Sequence, residues 1–256
     1  MASSHSGSQG KVALVTGGGS GIGKASALAL AREGFSVVVA GRRQDPLDAV
    51  VSEIEGLQGK GLGVATDVSD PASVEALFKK TKETFGRLDV LFNNAGFGAT
   101  VPIEDLEWER WSGVIGSIVH GTFLCTQQAV RMMKDQKPMG GRIINNGSIS
   151  AHVPRPNSIA YTTAKHAVTG MTKATSLDGR KYDISCSQID VGNALTDMTQ
   201  RMTQGVLQPD GEMMIEPTMN VENVARSVVL CATVTPEANI QFLTVMATKM
   251  PFVGRG

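Results

Sequence analysis

Thr16-Gly17-Gly18-Gly19-Ser20-Gly21-Ile22-Gly23 decides how the rest of the chain is read. A β-branched apolar run, Val12-Ala13-Leu14-Val15, leads into it, and a segment of helical period follows from Ile22 to Arg32. A glycine loop between strand and helix lets the backbone approach a pyrophosphate. The phosphate charge then meets unpaired N–H groups at the positive end of the helix dipole. The spacing departs from G-x-G-x-x-G, because Ile22 and Lys24 fall where its last glycine would stand; it fits T-G-x-x-x-G-x-G. Gly17, Ser20, Gly21, Ile22 and Gly23 are the expected contacts to the phosphates.

Outward from this loop, short β-branched runs alternate with helical-period segments. The first of these are Ser36 to Val39, Leu47 to Leu57, and Gly63 to Ala65. A helix near Ala72 to Thr84, a strand at Leu88 to Phe92 and a long helix from Trp108 to Lys134 follow. Then come a strand at Arg142 to Asn145, a helix from Ile159 to Asp178, a strand near Ile184 to Ile189, a helix around Val221 to Ala232 and a strand near Gln241 to Met246. Such alternation predicts βαβ units and a parallel sheet. No composition shift divides the series, so the expectation is one doubly wound Rossmann-type α/β domain over residues 11–256, with about seven parallel strands flanked by helices. Residues 1–10, small and polar, read as a flexible tail.

Composition narrows the functional classes. Lys plus Arg and Asp plus Glu both number 24, so no global field favours nucleic acid or anionic lipid. No run approaches the roughly 18 apolar residues of a membrane helix, and the N-terminus lacks a basic-then-apolar leader. A cytoplasmic protein is expected. Cys125, Cys186 and Cys231 form no C-x-x-C pair and read as buried thiols, and the four histidines show no metal-ligand spacing. No metal site is expected.

About twenty residues beyond the glycine loop, an NAD-preferring fold places an acid against the adenosine ribose. Here the segment is Ala40-Gly41-Arg42-Arg43. Two guanidinium groups and no acid suit a 2′-phosphate, so NADP is expected over NAD. Asp67-Val68 closes the third strand near an adenine edge, and Asn94-Ala95-Gly96 follows the fourth. Strand ends on one side of a parallel sheet are where such folds bind ligands.

At the chemical end, Ser148 follows the fifth strand, and Tyr161 and Lys165 lie thirteen and seventeen residues further on. Spaced i and i+4, the latter two share a helix face, where an ammonium is expected to lower the phenol pKa from its usual value of about 10. Ser148 would then hold a carbonyl or alkoxide oxygen beside it. This set suits reversible hydride transfer between a nicotinamide and a carbonyl carbon, with tyrosine passing the proton.

Thr16 to Gly23, Asn94-Ala95-Gly96, Ser148, Tyr161 and Lys165 together resemble the short-chain dehydrogenase/reductase family, from about Lys11 to the C-terminus. The resemblance implies a seven-stranded Rossmann domain and a nicotinamide cofactor. It also implies Tyr161 as acid/base, Lys165 on the nicotinamide ribose, Ser148 orienting substrate, and a homodimer or homotetramer. Two departures stand out. Ile118 occupies the place of a family asparagine that helps hold a proton-relay water, leaving the relay impaired or rerouted through Ser117. Val191 replaces the usual proline before Gly192, while Gly192 and Thr196 remain as expected contacts to the nicotinamide amide and pyrophosphate.

Met198, Met202, Met213, Met214 and Met219 fall where a substrate lid would lie, or are ordinary helix packing. Ser150, His152 and Arg155 follow the serine and read as solvated loop rather than substrate contacts. Trp108 and Trp111, at i and i+3, read as a buried helix face. The leading reading is an NADP-dependent reductase or dehydrogenase of a small to medium carbonyl/alcohol substrate. The alternative, motivated by Ile118, is a cofactor-binding protein with weak or no catalysis.

Overall fold

The computed structural model describes residues 8–196, 199–200 and 204–253. Its elements run β1 (Val12–Thr16), α1 (Gly21–Arg32), β2 (Ser36–Gly41), α2 (Gln44–Gly56), β3 (Gly61–Ala65), α3 (Pro71–Phe85), β4 (Val90–Asn93), α4 (Trp108–Ile115), α5 (Gly121–Asp135), β5 (Gly141–Asn146), α6 (Ile159–Asp178) and β6 (Ile184–Val191). Four two-residue strands, β7 (Ala194–Leu195), β8 (Val206–Leu207), β9 (Met213–Met214) and β10 (Met219–Asn220), precede α7 (Glu222–Thr233) and β11 (Phe242–Val245). The seven longer strands form one sheet in the order β11-β6-β5-β4-β1-β2-β3, every pair parallel. The expected doubly wound α/β architecture with seven parallel strands is therefore present.

Strand alternation builds two cores. Ala13 and Val15 of β1 face a layer that includes Ala27 and Leu30 of α1, Ile54 of α2 and Val228 of α7. Val12 and Leu14 face Val74 and Phe78 of α3 and Cys125, Ala129 and Met133 of α5. Each fully buried Leu, Val or Phe contributes about 1.5–3 kcal/mol. Because β1 is covered on both faces, it reads in sequence as an unbroken apolar run. Helix ends follow local chemistry: the Asp70 carboxylate accepts the N–H groups of Ala72 and Ser73, Pro71 opens α3, and Gly86 at φ 76° ends it.

The order of the sheet reverses between β1 and β4, so the loops after these two strands diverge and open a cleft at their C-terminal ends. The three cysteines are buried as expected, and burial pushes the Cys125 and Cys186 thiols up to about 12.

Several expectations need correction. The helix expected from Trp108 to Lys134 is two helices joined by a π-helical turn, Gly116–His120, where one extra residue is accommodated between i→i+5 bonds. Trp108 is 72% exposed, while Trp111 packs against the cluster around Val114 and Ile118. Of the expected tail, Ser8 to Gly10 form a turn in which the buried Ser8 accepts the Lys11 N–H; residues 1–7 lie outside the described residues. Met213 and Met214 form β9, paired antiparallel with β8, rather than a helix; Met198 and Met202 lie outside the described residues. No helix among the described residues is long and apolar enough to cross a membrane.

Candidate active site

β1 delivers the chain to Gly17 at φ 63°, and Gly21 at φ 52° turns it into α1. Both conformations are left-handed and favour glycine. Ser20 is the N-cap residue of α1, no side chain caps this end, and the first turn carries no acidic residue. The helix therefore presents unpaired N–H groups toward the cleft. Gly23 is not in the cleft lining but packs against the loop. A Cβ there would lie 2.1 Å from the Gly17 carbonyl oxygen, so its lack of a side chain lets α1 start directly beneath the loop.

The end of β4 is stapled to this loop. Thr16 Oγ1 accepts the N–H groups of Asn94 and Ala95 at 2.9 and 3.0 Å, and Asn94 Nδ2 donates to the carbonyls of Thr16 and Gly17 at 2.9 and 3.3 Å. Asn94 Oδ1 in turn accepts from Asn146 Nδ2 at 2.9 Å, linking β1, β4 and β5 across the switch point.

The resulting cleft of about 1,110 Å³ is lined by Gly17, Ser20, Gly21 and Ile22 of the loop and by Arg42 and Arg43 after β2. Asp67 and Val68 after β3, Asn94, Ala95 and Gly96 after β4, and Gly192 and Thr196 after β6 complete that wall. Arg42 and Arg43 are exposed at its rim. Asp67 Oδ1 accepts both the N–H and the hydroxyl of Ser69, and these bonds, with a smaller contribution from Arg42, hold its carboxyl below the usual range. Thr196 reaches over the glycine loop; its Cγ2 would lie 3.3 Å from a Cβ at Gly21. A glycine loop at an uncapped helix end, two cations in the same lining and a cleft of this volume fit a dinucleotide.

Ser148, Tyr161 and Lys165 converge at the other end of the same cleft. Ser148 lies two residues past β5, its hydroxyl accepting the Ser150 N–H and hydrogen-bonded to the Tyr161 side chain. Lys165 Nζ donates to the Asn146 carbonyl at 2.6 Å and lies 5.4 Å from the centroid of the Tyr161 ring. The expected sign of the tyrosine shift needs correction. Burial pushes the phenol above its ordinary value, and the Ser148 hydrogen bond offsets this only in part. Burial also lowers Lys165, to about 8, against a smaller opposing pull from Asp190. Tyr161 is thus held in the protonated form that can donate.

Beneath Ser148 lies a network invisible to sequence spacing. The buried Asp190 Oδ1 accepts the Ser148 N–H at 3.1 Å and Gln188 Nε2 at 2.7 Å, and Oδ2 lies 2.8 Å from His152 Nε2. A Cβ at Gly147 would sit 2.2 Å from Asp190 Oδ1, so a glycine there is what admits the carboxylate. His152 and Arg155, read from sequence as solvated loop, are both engaged.

Ile118 is buried, its Cγ1 only 2.6 Å from a Cβ built on Gly96, and it packs with Ala160 and Ala164 of the helix that carries Tyr161 and Lys165. The Ser117 hydroxyl donates to the Val114 carbonyl at 3.2 Å. Val191 is buried in the sheet core, and a Cβ at Gly192 would meet Met246 at 2.6 Å.

A family model described as short chain dehydrogenase matches residues 11–206. The chain belongs to the short-chain dehydrogenase/reductase family. Members of this family are oxidoreductases, and the chain is one of them. Among similar sequences is a 3beta-hydroxysteroid dehydrogenase of Mediterraneibacter gnavus, 39% identical over 77% of this chain and 70% of that protein. Among solved structures, a 3-ketoacyl-(acyl-carrier-protein) reductase of Brucella melitensis complexed with NADH superposes with a TM-score of 0.81 at 28% identity, covering 93% of this chain and 97% of the other. A metagenomic short-chain oxidoreductase in complex with NADP gives 0.80 at 26%, covering 94% and 98%. In this short-chain dehydrogenase, the Asp190 and Arg155 contacts span 38 and 61 residues of sequence, and no local pattern announces them.

Proposed function

We propose that the cleft binds NADP(H) and carries out reversible reduction of a carbonyl compound to an alcohol. The observation that carries this reading is the meeting of Ser148, Tyr161 and Lys165 with the glycine loop in one cleft. The cofactor, when bound, supplies or accepts the hydride. The chain's own groups do the rest. Ser148 donates to the substrate oxygen, and Tyr161 gives its phenolic proton to the developing alkoxide. Lys165, fixed by the Asn146 carbonyl, places positive charge beneath the phenol ring and so stabilises the phenolate that proton transfer leaves behind. Gly17, Ser20, Gly21 and Ile22 hold the pyrophosphate, Asp67 and Val68 border the adenine, and Asn94 to Gly96 with Gly192 and Thr196 wall the nicotinamide end.

The solved relatives named above hold NADH in one case and NADP in the other, so preference rests on this chain's own rim. Arg42 and Arg43 stand there without an acid beside them on β2, which favours a 2′-phosphate. Arg42→Ala is expected to raise the KM for NADPH about 10-fold, the size of one charge-assisted contact, and to leave the KM for NADH within about twofold. Initial rates of cofactor oxidation with a panel of ketones, aldehydes and keto-sugars give both constants. Equal use of NADH and NADPH, unchanged in the variant, overturns the preference.

The competing reading, cofactor binding with little catalysis, is favoured by one observation: Ile118 presents no polar group toward Lys165. The lysine has its own anchor in Asn146, so Ile118→Asn is expected to change the turnover rate by less than about threefold. The variant should also lose about 1–3 kcal/mol of stability through a buried amide without partners. A gain of more than about tenfold in kcat would support the competing reading.

A further inference from the structure

The substrate end of the cleft contains a charge that has been cancelled. Arg155, seven residues after Ser148, lines the cleft beside Pro156, yet its guanidinium is committed elsewhere. Nη1 donates to Glu216 Oε1 at 2.9 Å, Nη2 donates to Glu216 Oε2, and Nη2 also donates to Asn193 Oδ1 at 3.0 Å. Glu216 lies between β9 and β10 with its side chain fully buried. Asn193 Nδ2 and Gln208 Nε2 supply two further donors at 2.8 and 3.0 Å. Burial opposes ionisation of this carboxyl, and the surrounding donors outweigh it, holding Glu216 below its ordinary range. Glu216 therefore stands as a carboxylate against the Arg155 guanidinium, and the two charges offset each other.

Phe97, Ile149, Val206, Leu207 and Met213 line the same cleft, and Ser150, Ser158 and Gln204 add uncharged polar groups to it. Among the described residues around the catalytic set, Lys165 is a second cation, held on the Asn146 carbonyl under the Tyr161 ring. A carboxylate-bearing substrate would lose its hydration in this space and meet a guanidinium already satisfied by a fixed internal anion.

We propose that the substrate is an uncharged, largely apolar carbonyl compound, and that Glu216, by neutralising Arg155, is the residue that excludes anionic ones. This rests on the reductase reading above and deepens it. Glu216→Gln keeps the shape of the side chain and removes the counter-charge. Arg155, 15% exposed at the cleft wall, is then left as a cation without its carboxylate and gains from an anion entering the cleft.

The test uses a matched pair of ketones, 4-methylcyclohexanone and 4-oxocyclohexanecarboxylate, with NADPH and the full-length enzyme. The wild type is expected to favour the neutral ketone in kcat/KM by about 100-fold or more. Glu216→Gln should narrow that ratio at least about 10-fold by raising kcat/KM for the carboxylate, and in Arg155→Met/Glu216→Met, which has no cation to expose, the ratio should return to the wild-type side. The wild-type ratio tests the idea even where a variant does not fold. An active wild type that prefers the carboxylate, or an active Glu216→Gln with an unaltered ratio, overturns the proposal while leaving the reductase reading intact. Turnover of neither ketone, together with none across the wider panel, overturns the reductase reading and this inference with it.

Discussion

Tyr161→Phe is expected to lower turnover by about 10³-fold while leaving the affinity for NADPH within about twofold of wild type. The substitution removes one oxygen and keeps the ring that packs against Gly98 and lies near Lys165. Cleft shape and cofactor walls are therefore retained. What is lost is the acid that meets the alkoxide. General acid catalysis of this kind contributes about 10²–10⁴-fold, and burial keeps the Tyr161 phenol protonated and able to donate. Steady-state oxidation of NADPH gives the rate, and titration of NADPH fluorescence gives the affinity. A variant retaining more than a tenth of the wild-type rate would show that the proton comes from another group.

The second large effect concerns a residue packed against the underside of the glycine loop. Gly23→Ala places a methyl group 2.1 Å from the Gly17 carbonyl oxygen and 2.7 Å from Asn94 Nδ2. The nearest obstacle is backbone, and the loop holding it is pinned by Thr16 and Asn94, so no flexible side chain can swing aside. Either α1 moves away from the sheet or the glycine loop is displaced. Both break the cradle expected to hold the pyrophosphate. The expected cost is about 3 kcal/mol or more, together with loss of measurable cofactor binding. Gly56→Ala is the control, because a Cβ there meets nothing within 4 Å at the end of α2; it should be neutral or stabilising by about 0.4–1 kcal/mol. Thermal melts of the two variants, with and without NADPH, separate these outcomes. A Gly23→Ala protein that melts with the wild type would mean that the close approach is not maintained in solution.

Much of the architecture could be read because burial on both faces leaves a simple imprint. β1, β2 and β4 are covered front and back, so their sequences are plain apolar runs, and the helices between them keep a 3.6-residue period. The spacing of Tyr161 and Lys165 survives as a helix face for the same reason. The π-helical turn at Gly116–His120 could not be read, since one extra residue in a helix leaves the apolar pattern almost unchanged. The strands β7 to β10 are two residues long, too short to carry any periodicity.

The errors at the site have a common origin in long-range placement. Spacing brings an ammonium near a phenol, but the sign of the pKa shift depends on how much water surrounds both, and burial dominates here. Gly23 belongs to the same motif as Gly17 and Gly21, and spacing does not reveal how closely it approaches the Gly17 carbonyl. His152 and Arg155 look like solvated loop residues until Asp190 and Glu216, far away in sequence, are folded against them. Those pairings tie the exposed His152 to the carboxylate that holds the Ser148 N–H and fix Arg155 in the wall of the cleft.

The most direct test of the central claim follows the hydride itself. NADPH deuterated at the transferable nicotinamide position is incubated with the enzyme and a neutral alicyclic ketone, and the alcohol formed is analysed by mass spectrometry. The account predicts an alcohol carrying one deuterium on its carbinol carbon, formed by the wild type and absent with Tyr161→Phe. An alcohol without deuterium, or formed equally by the variant, would contradict it.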